Sequence, residues 1–215
     1  MAENDFYSLI NKTITNFEHN NIATVAANVF GSCVSLSSVN LPNCLKVGSS
    51  AFICCSNLTT LSLPNVMFIG SSAFYSCLKL PTLSLPNCIA IGNYAFAYNS
   101  SLSSISLTKC NTIESYAFYT CSKLTSVYLP NVTNISTGAF AYCSNLSSVS
   151  LPNITSIPNL CFDFCSLSSF VFTNIVSIGQ SAFRRNYFKS LVLPSTLKYI
   201  APGAFCDCSS MTAVT

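Results

Sequence analysis

The chain has 215 residues, of which 50% are apolar and only 7% charged, and its net charge is +3. So small a positive excess excludes the electrostatic footprint of a nucleic-acid binder. Ser, Asn, Gly or Pro interrupts every apolar run before about 20 residues, so no membrane-spanning segment is expected.

Residues 1–21 hold Glu3, Asp5, Lys12, Glu18 and His19, a large share of the charge in a sparsely charged chain. Asp5 is placed to cap a short helix running through Ile10. Lys12 to Glu18 alternates polar and apolar residues around Ile14 and Phe17, the pattern of a strand. Together these residues read as an N-terminal cap that shields the first unit of the remaining chain. The opening has no basic start leading into an apolar segment, so no secretory signal is read and a cytoplasmic or virion-associated location is expected.

From residue 22 onward one stretch recurs. Its clearest copy is LTTLSLPNVMFIGSSAFYSC, from Leu58 to Cys77. Its phenylalanine returns as Phe30, Phe52, Phe74, Phe96, Phe118, Phe140, Phe162, Phe183 and Phe205, at intervals of 22 residues seven times and 21 once. A fixed period of that size predicts a solenoid in which each unit stacks only on its neighbours. Each copy opens with an LxxLxL pattern such as Leu58-Leu61-Leu63, continuing as far as Leu167-Phe170-Phe172 and Phe188-Leu191-Leu193. The last two apolar residues alternate with a polar one and so share one face of a strand. Pro-Asn ends that strand, because proline has no N–H to donate. Inward residues follow at Val66 and Ile69, and Gly70-Ser71-Ser72 makes a corner. A serine there can cap a short helical turn carrying Ala73, Phe74 and Cys77. The expectation is an α/β solenoid of eight to nine repeats forming one domain, residues 22–215, with its last repeat incomplete.

Seven of the thirteen cysteines lie three residues after the repeat phenylalanine: Cys33, Cys55, Cys77, Cys121, Cys143, Cys165 and Cys208. Asn99 and Asn186 fill the same column. Cys44, Cys88 and Cys110 lie eight residues before the phenylalanine, where other copies carry Val, Ile or Leu. A residue that exchanges with aliphatics behaves as a small buried hydrophobe. Free thiols inside the stack are therefore expected rather than a disulfide framework.

The pattern LxxLxLPNxxxIGxxAFxxCxxL resembles the BspA-type leucine-rich repeats of bacteria, anaerobic protists and some bacteriophages. The opening FYSLINKTITNFEHNNIATVAANVF is similar to the start of short gut-bacterial and phage proteins of the same group. The resemblance implies a right-handed curved solenoid with a parallel sheet on its concave face. It also implies a surface role in adhesion to host proteins or other cells.

Repeat proteins bind partners on such a face. Its outward columns are mostly Ser and Thr, broken by Tyr128, Val171 and Val192, and exposed apolar groups of this kind can mark an interface. Arg184, Arg185 and Tyr187, with Lys189 and Lys198, form the one basic cluster, suited to an acidic partner. The last copy, from Cys208, begins a strand with Met211 and Val214 that reads as an assembly edge. Catalysis is not expected. His19 is the only histidine, the six acids fall at unrelated repeat positions, and no base accompanies any serine. Cys161 with Cys165, and Cys206 with Cys208, lack a second pair at zinc-ligand spacing, so neither metal nor other cofactor is expected. The chain reads as a non-enzymatic scaffold recognising a protein or glycan partner through the repeat surface. The alternative is a structural subunit, in a phage particle or homo-oligomer, docking through the C-terminal rung.

Overall fold

The computed structural model describes residues 13–215. The helix expected from Asp5 to Ile10 lies outside them. The first two rungs carry β1 (Asn16–Glu18) with β2 (Thr24–Val25) and β3 (Ser38–Asn40) with β4 (Lys46–Val47). The next two carry β5 (Thr60–Ser62) with β6 (Phe68–Ile69) and β7 (Thr82–Ser84) with β8 (Ala90–Ile91). They are followed by β9 (Ser104–Ser106) with β10 (Thr112–Ile113) and β11 (Ser126–Tyr128) with β12 (Asn134–Ile135). The C-terminal rungs hold β13 (Ser148–Ser150), β14 (Ser156–Ile157), β15 (Ser177–Ile178), β16 (Ser190–Leu191), β17 (Tyr199–Ile200) and β18 (Ala213–Val214).

Each regular rung thus contributes to two parallel ladders, one more than the sequence pattern suggests. The LxxLxL strands pair as β1-β3-β5, β7-β9, β11-β13 and β16-β18. The shorter strands form a six-stranded sheet, β12-β10-β8-β6-β4-β2, and a three-stranded one, β14-β15-β17. Register follows the repeat, as in Val39 opposite Leu61 and Ile91 opposite Ile113. Residues 16–18 of the expected cap join this register through β1 on β3, and Phe17 packs on Phe30 at 4.5 Å between ring centroids.

The period places like residues over like. The phenylalanine rings stack in a single column, with successive centroids 4.9 to 5.9 Å apart and planes within 18° of parallel. Stacking of this kind contributes about 0.5–1.5 kcal/mol per pair beyond the area removed from water. All thirteen cysteines are free, and eleven of them are buried. The column after the phenylalanine is more than hydrophobic filling. Cys55 Sγ donates to the Phe30 carbonyl at 3.2 Å, Cys77 to Phe52 at 3.3 Å and Cys143 to Phe118 at 3.1 Å. Asn99 and Asn186 donate to the corresponding carbonyls of Phe74 and Phe162. The column requires a small buried donor, which is why cysteine exchanges there with asparagine.

No helix forms among the described residues, and the segment expected to be a helical turn is a chain of tight turns. Its N–H groups alternate between two kinds of acceptor. Ala73, Tyr75 and Cys77 donate to carbonyls three residues back, while Ser72, Phe74 and Ser76 donate to Asn93, Ala95 and Ala97 of the next rung. Ser72 and Ser76 hold φ of 55° and 58°. A left-handed residue every fourth position interrupts right-handed helix, and the inter-rung bonds satisfy the N–H groups that helix would have used. Gly70 permits this close stacking, since a Cβ there would lie 2.6 Å from the backbone nitrogen of Ser49.

The strand expected over Leu167, Phe170 and Phe172 is also absent. Elsewhere the strand's leucine donates to the column residue three back, as Leu146 N does to Cys143 O at 2.8 Å. One residue fewer between Cys165 and Leu167 removes that geometry. Leu167 N bonds Asn186 Oδ1 of the next rung instead, at 2.9 Å. Phe170 and Phe172 turn onto Phe183, at 5.1 and 5.5 Å.

Candidate binding surfaces

On the strand side, alternation directs one residue of each pair outward. Tyr128, Val171 and Val192 are 68%, 76% and 74% exposed, the three most exposed large apolar side chains among the described residues. Val171 and Val192 come together. With Phe170, Phe172, Leu193 and Pro194 they line a shallow groove of about 340 Å³. Tyr128 stands apart from it, opposite Ser150 in the β11-β13 register. Met211 packs against the core, while Val214 on β18 is half exposed.

The basic cluster read from the sequence is divided. Arg184 and Arg185 lie in the turn that follows Phe183. Arg184 clasps Asp163 with two hydrogen bonds, of 2.9 and 2.7 Å, and Asp163 is buried. Arg185 reaches Asp207 at 3.2 Å and lies 4.3 Å from the centre of the Phe164 ring. Hydrogen bonding from Arg185 holds the Asp207 carboxyl below its usual range. Each acid therefore faces an arginine in an adjacent rung at the same repeat position, a pairing that the 21- and 22-residue spacings carried. Tyr187 is exposed, and its N–H donates to Leu167 O at 2.8 Å.

A second feature, on the turn side, escaped the sequence reading. Tyr75, Tyr94, Tyr98, Tyr116, Tyr119 and Tyr142 form one aromatic belt that continues onto Phe164. Tyr94 stacks on Tyr116 at 5.0 Å, and Tyr142 on Phe164 at 4.7 Å. Tyr119 lies among Tyr98, Tyr116 and Tyr142 at 5.3, 5.7 and 5.4 Å. Five of these tyrosines, from Tyr94 to Tyr142, line an open cleft of about 370 Å³ together with Ala141, Leu160 and the Asp163–Arg184 pair. The signal lay close to the stacked phenylalanine, chiefly two residues either side of it. Those places hold mostly Ser in the early rungs and Tyr94, Tyr98, Tyr116 and Tyr142 in the middle ones, while Tyr75 and Tyr119 directly follow their phenylalanine.

Burial governs the remaining chemistry. It pushes the Cys55 and Cys88 thiols up to about 12 and Cys110 to about 11, and it raises Cys77, Cys121, Cys161 and Cys165 well above the ordinary value. A thiol kept protonated is a poor nucleophile and a poor metal ligand. Among the described residues no three His, Cys, Asp or Glu side chains gather as a metal site, and no helix is long and apolar enough to cross a membrane.

The family model for the BspA type leucine rich repeat region matches in overlapping sections over residues 23–147, 67–186 and 111–215. The chain belongs to the BspA-type leucine-rich repeat family. Among solved structures, this BspA-type chain is similar to a leucine rich cell surface protein from Faecalibacterium prausnitzii. They share 25% identity with a TM-score of 0.72, over 97% of this chain and 62% of the other. A leucine-rich repeat protein from Bacteroides ovatus matches at 19% identity and TM-score 0.69, over 96% of this chain and 64% of that one. The pneumococcal vaccine antigen PcpA matches at 16% identity and TM-score 0.65, over 95% and 61%. At these identities the last two show the shared fold. The chain thus spans less than two thirds of each of these structures. No curated protein matches it.

Proposed function

We propose that the chain is a non-enzymatic recognition scaffold that binds a protein or glycan partner through the strand side of the solenoid. The observation that carries this reading is the exposure of Tyr128, Val171 and Val192 on a surface made mostly of hydroxyl side chains. Large apolar groups held in water are costly for a monomer and productive at an interface. The similarity to a leucine rich cell surface protein of Faecalibacterium prausnitzii supports a cell-surface setting for that binding. Residues 1–21 serve in this reading as the cap of the first rung, and residues 22–215 as the binding solenoid.

The test is a binding screen of the whole chain against a glycan panel and a panel of host cell-surface proteins, repeated with Tyr128→Glu and Val171→Glu. Binding that the charged variants weaken at least tenfold, with unchanged circular dichroism, is the expected outcome. A hit that both variants retain in full removes this surface from the role.

A second reading is homomeric docking along β18, favoured by the half-exposed Val214 on a strand paired on one side only. A Val214→Lys change that dissolves a defined oligomer in light scattering would support it.

A further inference from the structure

We propose that the tyrosine cleft on the turn side is a docking groove for a proline-rich segment in the polyproline II conformation. It is a separate surface from the strand side and does not depend on partner binding there.

The belt gathers six of the chain's ten tyrosines. Local folding does not favour them there. Tyr94, Tyr98, Tyr116 and Tyr142 hold φ between 55° and 61°, in the left-handed region that bulky side chains avoid. In earlier rungs the same columns take Ser50 and Ser72, or Ser32 and Ser76, and in later ones Leu160, Phe164 and Arg185, all with φ of 55° to 61°. The stack imposes that backbone on every rung, so what points toward a function is the gathering of tyrosines from successive rungs around one cleft. Gly138 supports the arrangement. It occupies the Tyr94–Tyr116 column with φ of 62°, and a Cβ there would overlap the Tyr116 ring. Glycine lets that ring lie across the next rung.

The chemistry of the cleft selects the occupant. Its one acid and one arginine neutralise each other, because the Asp163 carboxylate is clasped through both oxygens by Arg184. That leaves no free charge for an ionic ligand and no free carboxylate of the kind that fixes sugar hydroxyls. What remains is a set of aromatic faces with phenolic hydroxyls, which can donate to carbonyls. A polyproline II segment offers rigid apolar ridges and a backbone whose carbonyls have no internal partners, and aromatic-lined grooves recognise it. The spacing agrees. Tyr98, Tyr119 and Tyr142 advance one rung at a time, at 5.3 and 5.4 Å. Two such steps cover about 11 Å, within about 2 Å of the ~9 Å turn of polyproline II, so prolines three apart in the ligand can meet every second rung.

The experiment titrates the full chain with a fluorescein-labelled oligoproline of about ten residues and reads anisotropy. A Gly-Ser peptide of equal length and labelled linear hexasaccharides are titrated in parallel. The variant is Tyr94→Ser with Tyr142→Ser, which restores the residue that those columns already accept. Circular dichroism and thermal melting establish that it folds. Saturable oligoproline binding that the variant weakens at least tenfold, while Tyr128→Glu leaves it unchanged, is expected. Absence of saturable oligoproline binding overturns the proposal. So does equal binding of the Gly-Ser peptide, or binding indifferent to the tyrosine changes. Hexasaccharide binding lost in the same variant, without oligoproline binding, would assign the cleft to glycans instead.

Discussion

Asn186 stands in a column otherwise dominated by cysteine and donates through Nδ2 to the carbonyls of Phe162 and Phe183, at 2.7 and 3.0 Å. Its Oδ1 accepts the Leu167 N–H that the shortened rung leaves without its usual partner. Asn99 makes the same donations to Phe74 and Phe96, but its Oδ1 is buried with no partner. The two asparagines should therefore respond differently to cysteine. Asn186→Cys strands a buried N–H and is expected to cost about 1–3 kcal/mol. Asn99→Cys removes an unsatisfied oxygen and keeps a donor, so its cost should be smaller by about 1 kcal/mol or more. Urea denaturation of the two variants measures the difference, and equal losses would refute the separate roles. The column itself was legible from the period, because cysteine and asparagine recur at one offset from phenylalanine. The second bond was not, because it depends on a register that one missing residue shifts.

At the scale of the element, the run of turns around each stacked phenylalanine is where sequence reasoning failed and where the candidate chemistry lies. A serine corner followed by Ala-Phe suggests helix when a rung is considered alone. In the stack, every second N–H finds its acceptor on the neighbouring rung, so the segment can adopt left-handed residues that a helix excludes. Once the columns of these turns are aligned, the aromatic belt and the Asp163–Arg184 pair both become visible. Removing Arg184 tests that pair. Arg184→Met leaves a carboxylate buried without a partner, a change that costs about 3–5 kcal/mol in a fully buried setting. The arginine side chain is about a third exposed, so a loss of about 2–3 kcal/mol is expected after allowing for solvent screening. Asp163→Leu combined with Arg184→Met should recover most of it, since a packed apolar pair commonly replaces a buried ion pair without loss. A double variant no more stable than Arg184→Met alone would contradict this. Arg185→Met, at the half-exposed Asp207 contact, should have little effect.

For the whole molecule, the stack concentrates its titration behaviour in one residue type. Six acids and one histidine give acid little purchase, whereas the thiols lie almost entirely inside. Their ordinary value is about 9, and burial lifts Cys55 and Cys88 to about 12 and Cys110 to about 11. The unfolded chain therefore loses these protons first. Between about pH 9 and 12 the native state holds more protons than the unfolded one, so stability falls as pH rises. The contribution is fully present below about pH 9 and lost as the folded thiols titrate. Each thiol can lower stability by up to about 1.4 kcal/mol per pH unit in that window. With several acting together, a domain of ordinary stability should unfold well below the values of the buried groups. The control that isolates the thiols is a variant with Cys44, Cys88 and Cys110 changed to valine, the residue that Val66 and Val132 supply at the same repeat position. The urea midpoint of the parent should drop between pH 8 and about pH 10.5, and that of the variant should drop less. Parallel falls would place the alkaline sensitivity outside the buried thiols. A smaller fall in the variant would show that a stack with few charges is nonetheless governed, at high pH, by its buried thiols.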